Sequence, residues 1–299
     1  MTDQPEYSNL ELIAQVDTWP YYQRDPSAYN EHMKDYYYFM IGGFAAPFGY
    51  VHATTISKVN WPKFWTVDET ERKLIFDGGD DFTTRAQRME ETLRANPKTD
   101  EASAFSGWCD ELFPIYTNER VHILDLDGAG VDAFGIVNFA CHLNGYVKTD
   151  SGIKYWVPRR ARTKVSFPGM LDNTVGGSLR SRESPLDCIV REAAEEAGLP
   201  EDIARANIKA CGALTFYYVY EIALPEDTVP APFDGEAESF TLMALDEVVS
   251  ALRKGDFKLD CAMTWMAFLI RKGHVNAENE PHIIEICSRL HRKHDLFIV

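Results

Sequence analysis

The sequence predicts a protein of the α+β class, with a mixed α/β sandwich preceded by a smaller α+β domain. From Arg120 onward, stretches rich in β-branched and aromatic residues alternate with turn signals. Three helical stretches interrupt these predicted strands, as expected for a sheet covered by helices. The preceding part differs in composition, because aromatic residues are concentrated there.

Residues 1–120 are predicted to form the aromatic-rich N-terminal α+β domain. Within them, ERKLIFD (residues 71–77) reads as a short strand. The stretch from Asp81 to Asn96 has helical periodicity and predicts a helix. GGFAAPFGYVH (residues 42–52) contains too much glycine and proline for a helix and predicts strand and turn.

Residues 121–275 are predicted to form the second domain, and residues 276–299 a C-terminal helix and tail. The predicted strands lie in VHILDLD, AFGIVNFACHL, YVKT, KYWVPRR and NIKACGALTFYYVYEIAL. The predicted helices run from Pro185 to Ala197, from Leu245 to Lys254 and from Cys261 to Arg271. PEDTVPAPFDGEAE is acidic and proline-rich, which predicts a loop between strands.

The overall charge limits the class of ligand. The chain has 299 residues, 45% of them hydrophobic, and a formal net charge of −16. Such a chain can bury a substantial core, but it has no basic field to attract nucleic acid. We therefore expect no nucleic-acid partner. A substrate that carries phosphate would need a local cationic adapter such as a metal ion.

The cysteines and the apolar runs bear on location. Six cysteines are scattered without a C-x-x-C pair, which disfavours structural zinc and predicts reduced thiols. The first residues are acidic and lack the features of a signal peptide, and no apolar run reaches the roughly 20 residues of a membrane span. We expect a cytoplasmic protein with no membrane partner; the sequence does not predict its oligomeric state.

GGSLRSRESPLDCIVREAAEEAGL (residues 176–199) contains a well-defined predicted helix. Ser184 can cap its start, Pro185 suits the first turn, and Asp187 can answer the cap three residues later. Gly198 is a typical stop. The helix is therefore predicted to begin and end within this stretch.

Three glutamates share one face of this helix. Glu192, Glu195 and Glu196 occupy positions i, i+3 and i+4. Like charges repel, but Mg²⁺ and Mn²⁺ favour clustered carboxylate oxygens. Arg191 can orient a carboxylate through paired hydrogen bonds, and Glu183 is its natural partner. The cluster therefore predicts a bound divalent cation, although glutamates alone would also fit an ordinary charged surface helix.

The whole pattern resembles the Nudix box, written G-x5-E-x7-R-E-U-x-E-E-x-G-U with U apolar. Every specified position is filled, and only Ala193 is smaller than the usual aliphatic residue. The matching residues are Gly177, Glu183, Arg191, Glu192, Ala193, Glu195, Glu196, Gly198 and Leu199. The resemblance implies a Nudix α/β/α sandwich with a mixed sheet, and a small-molecule diphosphate substrate hydrolysed with Mg²⁺ or Mn²⁺.

The resemblance also implies roles for individual residues. The implied metal ligands are Glu192, Glu195, Glu196 and, through its carbonyl, Gly176. Arg191 would orient them, and Glu183 would pair with Arg191 or hold an outer metal ion. Members of the family often recruit one more carboxylate from a later loop. Here the candidates are Glu236 and Glu238, and Glu238 is the preferred one.

Stretches outside the box narrow the resemblance. GWCDELFPIYTNER, YWVPRRARTKVSFPGMLDNTVGG, FDGEAESFTLMALDEV and FLIRKGHVNAENEP resemble a Nudix subgroup related to the N-terminal part of fungal thiamine pyrophosphokinase. This implies removal of a phosphate from thiamine diphosphate, preferentially from its damaged oxy and oxo forms, to give the monophosphate. Such an activity would serve to clear damaged metabolites.

Candidate substrate residues lie before the box and at its first glycine. Trp156 is predicted to stack on a heteroaromatic ring, and Arg159, Arg160 and Lys164 to meet the diphosphate. Gly177 would let the backbone approach the substrate closely. Alternatively, Trp156 is a core residue and the basic residues are solvated strand ends.

Two other functions remain open at this point. A hydrolase of oxidised nucleoside di- or triphosphates would use the same metal centre with a different base pocket. A non-catalytic Nudix-fold binding module is disfavoured, because the box carboxylates are all retained. Isopentenyl diphosphate isomerases share the fold, but their cysteine motif is absent from this sequence.

Overall fold

The computed structural model describes residues 6–293 and 296. Its helices are α1 Asn9–Val16, α2 Pro26–Met33, α3 Ala53–Lys58, α4 Phe82–Arg94, α5 Gly128–Phe134, α6 Pro185–Ala197, α7 Glu201–Asn207, α8 Leu245–Arg253, α9 Leu259–Arg271 and α10 Ile283–Leu290. Its strands are β1 Tyr36–Ile41, β2 Gly49–His52, β3 Trp65–Asp68, β4 Lys73–Phe76, β5 Leu112–Tyr116, β6 His122–Asp127, β7 Ala140–Thr149, β8 Gly152–Arg160, β9 Val175–Ser178, β10 Ile208–Ala213, β11 Tyr217–Ala223 and β12 Ala237–Ala244. Within these residues, each helix is too short or too polar to cross a membrane.

The smaller of two compact units contains residues 19–138 and 180–182. Its main sheet has the order β2-β1-β4-β3, in which β1 and β4 are parallel and the other neighbours antiparallel. Side chains of β1 alternate between half-buried and buried, as the period of a strand requires. The buried side is aromatic: the rings of Trp65 and Phe134 stack with centroids 5.4 Å apart.

Most local predictions for this unit are confirmed. The predicted helix from Asp81 to Asn96 is α4, and the Asp81 side chain accepts a hydrogen bond from the Thr84 backbone N–H at 2.9 Å. The predicted strand in residues 71–77 is β4, and residues 42–52 end in β2. One prediction is wrong in part: within AFGIVNFACHL the chain first completes α5, which Gly135 ends with φ +59°, and β7 begins only at Ala140.

The larger unit contains residues 6–18, 139–179 and 183–293. Its sheet has the order β10-β11-β7-β8-β12, and β9 pairs with β7. Strands β11 and β7 are parallel and the other pairs antiparallel, so the sheet is mixed, as predicted. The predicted helices and the loop before β12 are also confirmed; residues 294, 295 and 297–299 of the predicted tail lie outside the described residues.

Helices cover both faces of this sheet. Tyr155 on β8 packs edge-on against Trp265 of α9, with ring centroids 5.4 Å apart. Trp156, the next residue, packs against a separate buried cluster that includes Val190 of α6. Because successive side chains of a strand point to opposite faces, α6 and α9 lie on opposite sides of the sheet. The unit is therefore the predicted α/β/α sandwich.

The compact units divide the chain differently from the predicted ranges. Leu12 and Ile13 of α1 are buried in the core of the larger unit, as is Ile286 of α10. Leu126 and Phe134, beyond the predicted boundary, are buried in the smaller unit. Composition guided the predicted ranges, but it does not reveal which core a short amphipathic helix joins. The division into 1–120, 121–275 and 276–299 stays a prediction about domains.

A buried carboxylate links β11 to α9 in the larger unit. Glu221 accepts hydrogen bonds from Arg271 and, at 2.9 Å, from Lys272. Burial alone would raise the pKa of Glu221, but these two cations hold it below its ordinary value of 4.5. The ion pair therefore stabilises the fold when Glu221 is ionised, and this contribution is lost as the pH falls through the lowered pKa.

We predict that Glu221→Gln lowers the free energy of unfolding at pH 7 by about 2 kcal/mol, because charge-assisted hydrogen bonds are lost. The difference from the wild type should shrink as the pH falls below about 4.5. Urea denaturation at pH 7 and pH 4 measures both values. Glu226→Gln, at an exposed position, is the matched control and should change neither. An equal loss at both pH values would contradict this account.

Candidate active site

Helix α6 begins and ends as the sequence predicts. The Ser184 hydroxyl accepts a hydrogen bond from the Asp187 backbone N–H at 3.1 Å and donates to the Asp187 carboxylate at 2.6 Å. Pro185 occupies the first turn, where its missing N–H costs nothing. Gly198 ends the helix with φ +62°, a conformation that favours glycine. These two ends fix which side chains α6 presents together.

Arg191 gathers three of the predicted glutamates. Its guanidinium donates two hydrogen bonds to Glu183, at 2.8 and 3.1 Å. The same group donates to Glu192 at 2.7 Å and to Glu195 at 2.9 Å. Burial alone would lower the pKa of Arg191, but these carboxylates raise it above its ordinary value. One permanent cation therefore holds three carboxylates in fixed positions.

Gly177 on β9 leaves the space that the Glu192 side chain fills. A Cβ atom at Gly177 would lie 2.0 Å from Oε1 of Glu192 and 2.1 Å from its Cδ. No side chain fits at that distance, so any other residue would displace the carboxylate. Its neighbour Gly176 is also tightly packed, since a Cβ there would lie 3.0 Å from Nδ1 of His142. Gly177 therefore allows α6 to pack directly onto β9, and Gly176 allows a close approach to His142 of β7.

Glu196 has a different environment from the other two glutamates of the face. It accepts a hydrogen bond from the Gly176 backbone N–H at 3.2 Å. Burial, the largest cause, raises the pKa of Glu196 well above its ordinary value. The neighbouring carboxylates of Glu192, Asp172 and Glu236 raise it further. Glu196 is thus placed among like charges.

A small cleft opens beside Glu196, between α6 and strands β8 and β12. The residues that line it are Pro158, Arg160, Asp172, Asn173, Thr174, Glu196, Glu236, Ala237 and Phe240. Arg160 is at the end of β8, Asp172 is in the loop after β8, and Glu236 is in the loop before β12. These three charged groups therefore come from elements other than α6. The cleft therefore combines acidic and basic groups from several elements.

The two candidate loop carboxylates lie in different places. Glu236 lines the cleft and pairs with Lys164 at 2.7 Å. Glu238 falls at a bulge of β12 and accepts a hydrogen bond from the backbone N–H of Arg162 at 3.1 Å. A bulge leaves one residue out of the ladder, which directs Glu238 away from the cleft lining. The structure thus places Glu236, and not the preferred Glu238, near Glu196.

The predicted phosphate-binding cations also separate. Arg160 donates to Asp172 at 2.7 Å in the cleft, and both side chains are largely buried. Arg159 donates to the carbonyl of Gly169 at 2.6 Å, on the other face of the strand. Lys164 reaches the cleft through its ion pair with Glu236. Arg160 and Lys164 therefore share the surroundings of Glu196, and Arg159 does not.

Trp156, the predicted partner for a substrate ring, is packed beneath this region. Its side chain contacts the buried cluster that includes Cys141, Val190 and Tyr220. It does not belong to the cleft lining. The alternative interpretation of Trp156, as a core residue, matches these contacts.

No sequence motif singles out Asp172 as a site residue. It lies in PGMLDN, which is recognisable only as a loop that precedes Gly176. Its carboxylate bonds Arg160 and accepts from the Cys261 thiol at 2.9 Å. Burial would raise the pKa of Asp172, but the Lys258 cation is the first of several groups that hold it below its ordinary value. A buried aspartate that stays ionised beside Glu196 is therefore part of the site.

The charge of these carboxylates suits a divalent cation better than the present positions of their side chains do. Within residues 6–293 and 296, no group of three or more His, Cys, Asp or Glu side chains is arranged to hold a metal ion. Glu192 and Glu195 are turned toward Arg191. Burial is the main cause of the raised pKa of Glu196, and a divalent cation would relieve the added repulsion from the neighbouring carboxylates. An ion bound here would draw at least one carboxylate toward it from Arg191.

Comparisons with known proteins identify the domain that contains this site. The NUDIX domain profile matches residues 145–266, which include β9, α6 and the cleft. A Nostoc protein named as an uncharacterized Nudix hydrolase (all7351) is 36% identical over 41% of this chain and 73% of its own length. The similarity thus covers most of that relative.

Two further relatives extend the comparison. The uncharacterized yeast protein YJR142W from Saccharomyces cerevisiae is 31% identical over 96% of this chain and 91% of its own length. Nudix hydrolase 20, chloroplastic, from Arabidopsis thaliana is 33% identical over 62% of this chain, and the match spans about half of that relative (52%). The matched domain contains the whole arrangement of Arg191 and its carboxylates, and the chain is a hydrolase that belongs to the Nudix family.

Proposed function

We propose that the protein is a metal-dependent diphosphate hydrolase that removes a phosphate from thiamine diphosphate or its damaged oxy and oxo analogues. The observation that carries the proposal is the position of Glu196 among like-charged groups, in a cleft that Arg160 also lines and whose Glu236 pairs with Lys164. A phosphorylated substrate bridged by a divalent cation would satisfy both sets of charges. The protein as a whole carries a net charge of −16, so these local cations matter for binding an anion.

The proposed metal ligands come mainly from α6. Glu192, Glu195 and Glu196 supply carboxylates, and the Gly176 carbonyl is the candidate backbone ligand. Arg191 keeps Glu192 and Glu195 on the same side of the helix, and Glu183 holds Arg191 in turn. Nudix hydrolases generally use divalent metals such as Mg²⁺ or Mn²⁺. When bound, such an ion neutralises phosphate oxygens and makes a bound water more acidic.

The protein's own groups account for the remaining chemistry. Arg160 and Lys164, which pair with Asp172 and Glu236 near Glu196, would orient the diphosphate by charge-assisted hydrogen bonds. Glu236 would take the proton of the attacking water; its place in the lining of the same cleft as Glu196 supports this role. The water oxygen forms a new bond to phosphorus as the P–O bond of the anhydride breaks. The products are the monophosphate and inorganic phosphate.

A covalent thiol intermediate is not part of this proposal. The Cys188 thiol lies on α6 beside Arg191, but its contact with Cys141 and its burial raise the pKa of this thiol above its ordinary value. Burial is also the main cause that raises the pKa of Cys261. Protonated, buried thiols are poor nucleophiles. We therefore propose that water attacks the phosphorus atom directly, without a protein nucleophile.

The remaining parts of the proposal concern substrate and location. The thiamine assignment rests on the resemblance of stretches such as YWVPRRARTKVSFPGMLDNTVGG to the thiamine-related subgroup. The six cysteines are free thiols, which supports a reducing, cytoplasmic location. The plant relative described above is named as chloroplastic.

The proposed function predicts metal-dependent release of phosphate from thiamine diphosphate and its oxy and oxo forms. Purified protein is assayed with Mg²⁺ or Mn²⁺ and with a chelator, and an oxidised-nucleotide panel is run in parallel. We expect turnover that a chelator abolishes and added metal restores, with thiamine compounds preferred by at least about tenfold, a difference of roughly 1.4 kcal/mol in transition-state stabilisation.

Two variants control this assay. Glu196→Gln should abolish turnover while the thermal transition stays within a few degrees, because the amide keeps the shape of the side chain and relieves like-charge repulsion. Glu201→Gln, at an exposed position just after α6, should keep full activity. Turnover that persists in chelator, or in folded Glu196→Gln, would contradict the metal-dependent mechanism. Equal rates on both panels would remove the thiamine assignment.

The positions of the loop carboxylates predict different effects of two matched substitutions. Glu236→Gln should lower kcat by about 10²-fold or more, the typical contribution of a positioned general base. Glu238→Gln should stay within a few-fold of the wild type, because Glu238 is bonded to Arg162 away from the cleft lining. Steady-state kinetics at saturating metal measures both. The reverse ranking would assign the base to Glu238.

A further inference from the structure

The loop between β11 and β12 exposes a large aromatic side chain. Phe233 is 76% exposed, although burying a phenylalanine typically stabilises a protein by about 1.5–3 kcal/mol. Single exposed apolar residues are common on protein surfaces, so exposure alone does not indicate a function. A function for Phe233 is therefore inferred from its position relative to α6 and the cleft.

This loop is attached to the end of α6. The backbone N–H of Ala231 donates to the carbonyl of Ala197 at 3.1 Å. The Phe233 ring lies over Gly198, where a Cβ atom would be 3.8 Å from its Cδ2. Gly198 follows Glu196 by two residues. The ring is therefore held next to the C-terminal end of the helix that carries the proposed metal ligands.

The same loop continues into the cleft. Glu236 follows Phe233 by three residues, so their Cα atoms are at most about 11 Å apart. Glu236 lines the cleft together with Glu196 and pairs with Lys164 at 2.7 Å. Phe233 thus stands at one end of a short segment whose other end lies at the proposed phosphate position.

The aromatic residue predicted for ring binding does not occupy such a place. Trp156 packs against the buried cluster under α6 and does not line the cleft. Phe233 is a large exposed apolar residue that packs against Gly198 at the end of α6 and belongs to the same loop as Glu236. Its exposed side chain lies next to Gly198, and the chain reaches the cleft-lining Glu236 three residues later.

We propose that Phe233 stacks on the planar heteroaromatic ring of the substrate while the diphosphate lies at Glu196 and Lys164. This subsite rests on the proposed function, since it assumes that the cleft receives the phosphates. It restricts the substrate class to diphosphates whose ring can reach across the end of α6. Ring stacking tolerates different rings, so Phe233 would favour ring-bearing over ring-free diphosphates.

Calorimetry tests this preference by binding, without relying on turnover. The probes are the non-hydrolysable methylene analogues of thiamine diphosphate and ADP, with methylenediphosphonate as the ring-free probe, all with Mg²⁺ present. The variants are Phe233→Ala, Phe233→Tyr and the control Val229→Ala, which alters another exposed apolar residue (59%) of the same loop. Thermal transitions of the three variants should match the wild type.

We expect Phe233→Ala to weaken at least one ring-bearing probe by roughly 5- to 150-fold and methylenediphosphonate by less than twofold. Phe233→Tyr should restore binding, and Val229→Ala should leave all three affinities unchanged. An equal loss for all three probes, no loss for any, or a change only in oligomeric state would overturn the subsite.

The outcome is separable from that of the hydrolysis assay. If the wild type hydrolyses no diphosphate yet Phe233→Ala selectively weakens a ring-bearing probe, the proposed function fails and the subsite stands. If thiamine diphosphate is hydrolysed and Phe233→Ala binds and turns it over like the wild type, the subsite fails and the proposed function stands.

Discussion

The structure of the site depends on one guanidinium that holds several carboxylates. If Arg191 were absent, the carboxylates of Glu183, Glu192 and Glu195 would repel one another. Such a buried arrangement is weak evidence for stability by itself, because desolvation offsets much of the attraction. Its effect is positional: Arg191 holds the Glu192 carboxylate beside Gly177 of β9 and keeps Glu183 and Glu195 next to it.

Glu196 differs from Glu192 and Glu195 because it is buried and accepts its hydrogen bond from the backbone of Gly176. Arg191 bonds the other two glutamates of the face, whereas Glu196 has the Gly176 N–H and a surrounding of carboxylates. Burial is the main cause of the strongly raised pKa of Glu196, and the neighbouring carboxylates raise it further. Perturbed groups in a cleft mark functional sites more often than structural ones. Arg160 and Lys164 place two cations close to this group of carboxylates.

The sequence determined α6 well because its signals are local. Ser184, Pro185 and Gly198 act within one turn of the helix ends, and the glutamate spacing follows from helical geometry. The sequence does not predict which of Glu236 and Glu238 lies near Glu196, because their positions depend on a bulge in the pairing of β12 with β8. Likewise, alternation places Arg159 and Arg160 on opposite faces, but only tertiary packing decides which face meets α6.

The central claim is that the carboxylates of α6 hold a divalent cation. Anomalous diffraction from crystals grown with saturating Mn²⁺ tests it directly. We expect an anomalous peak about 2 Å from a Glu196 carboxylate oxygen, with Glu192 or Glu195 turned toward it from Arg191. Ordered Mn²⁺ found only elsewhere, with Glu196 still bonded to the Gly176 N–H and both neighbours still on Arg191, would contradict the claim.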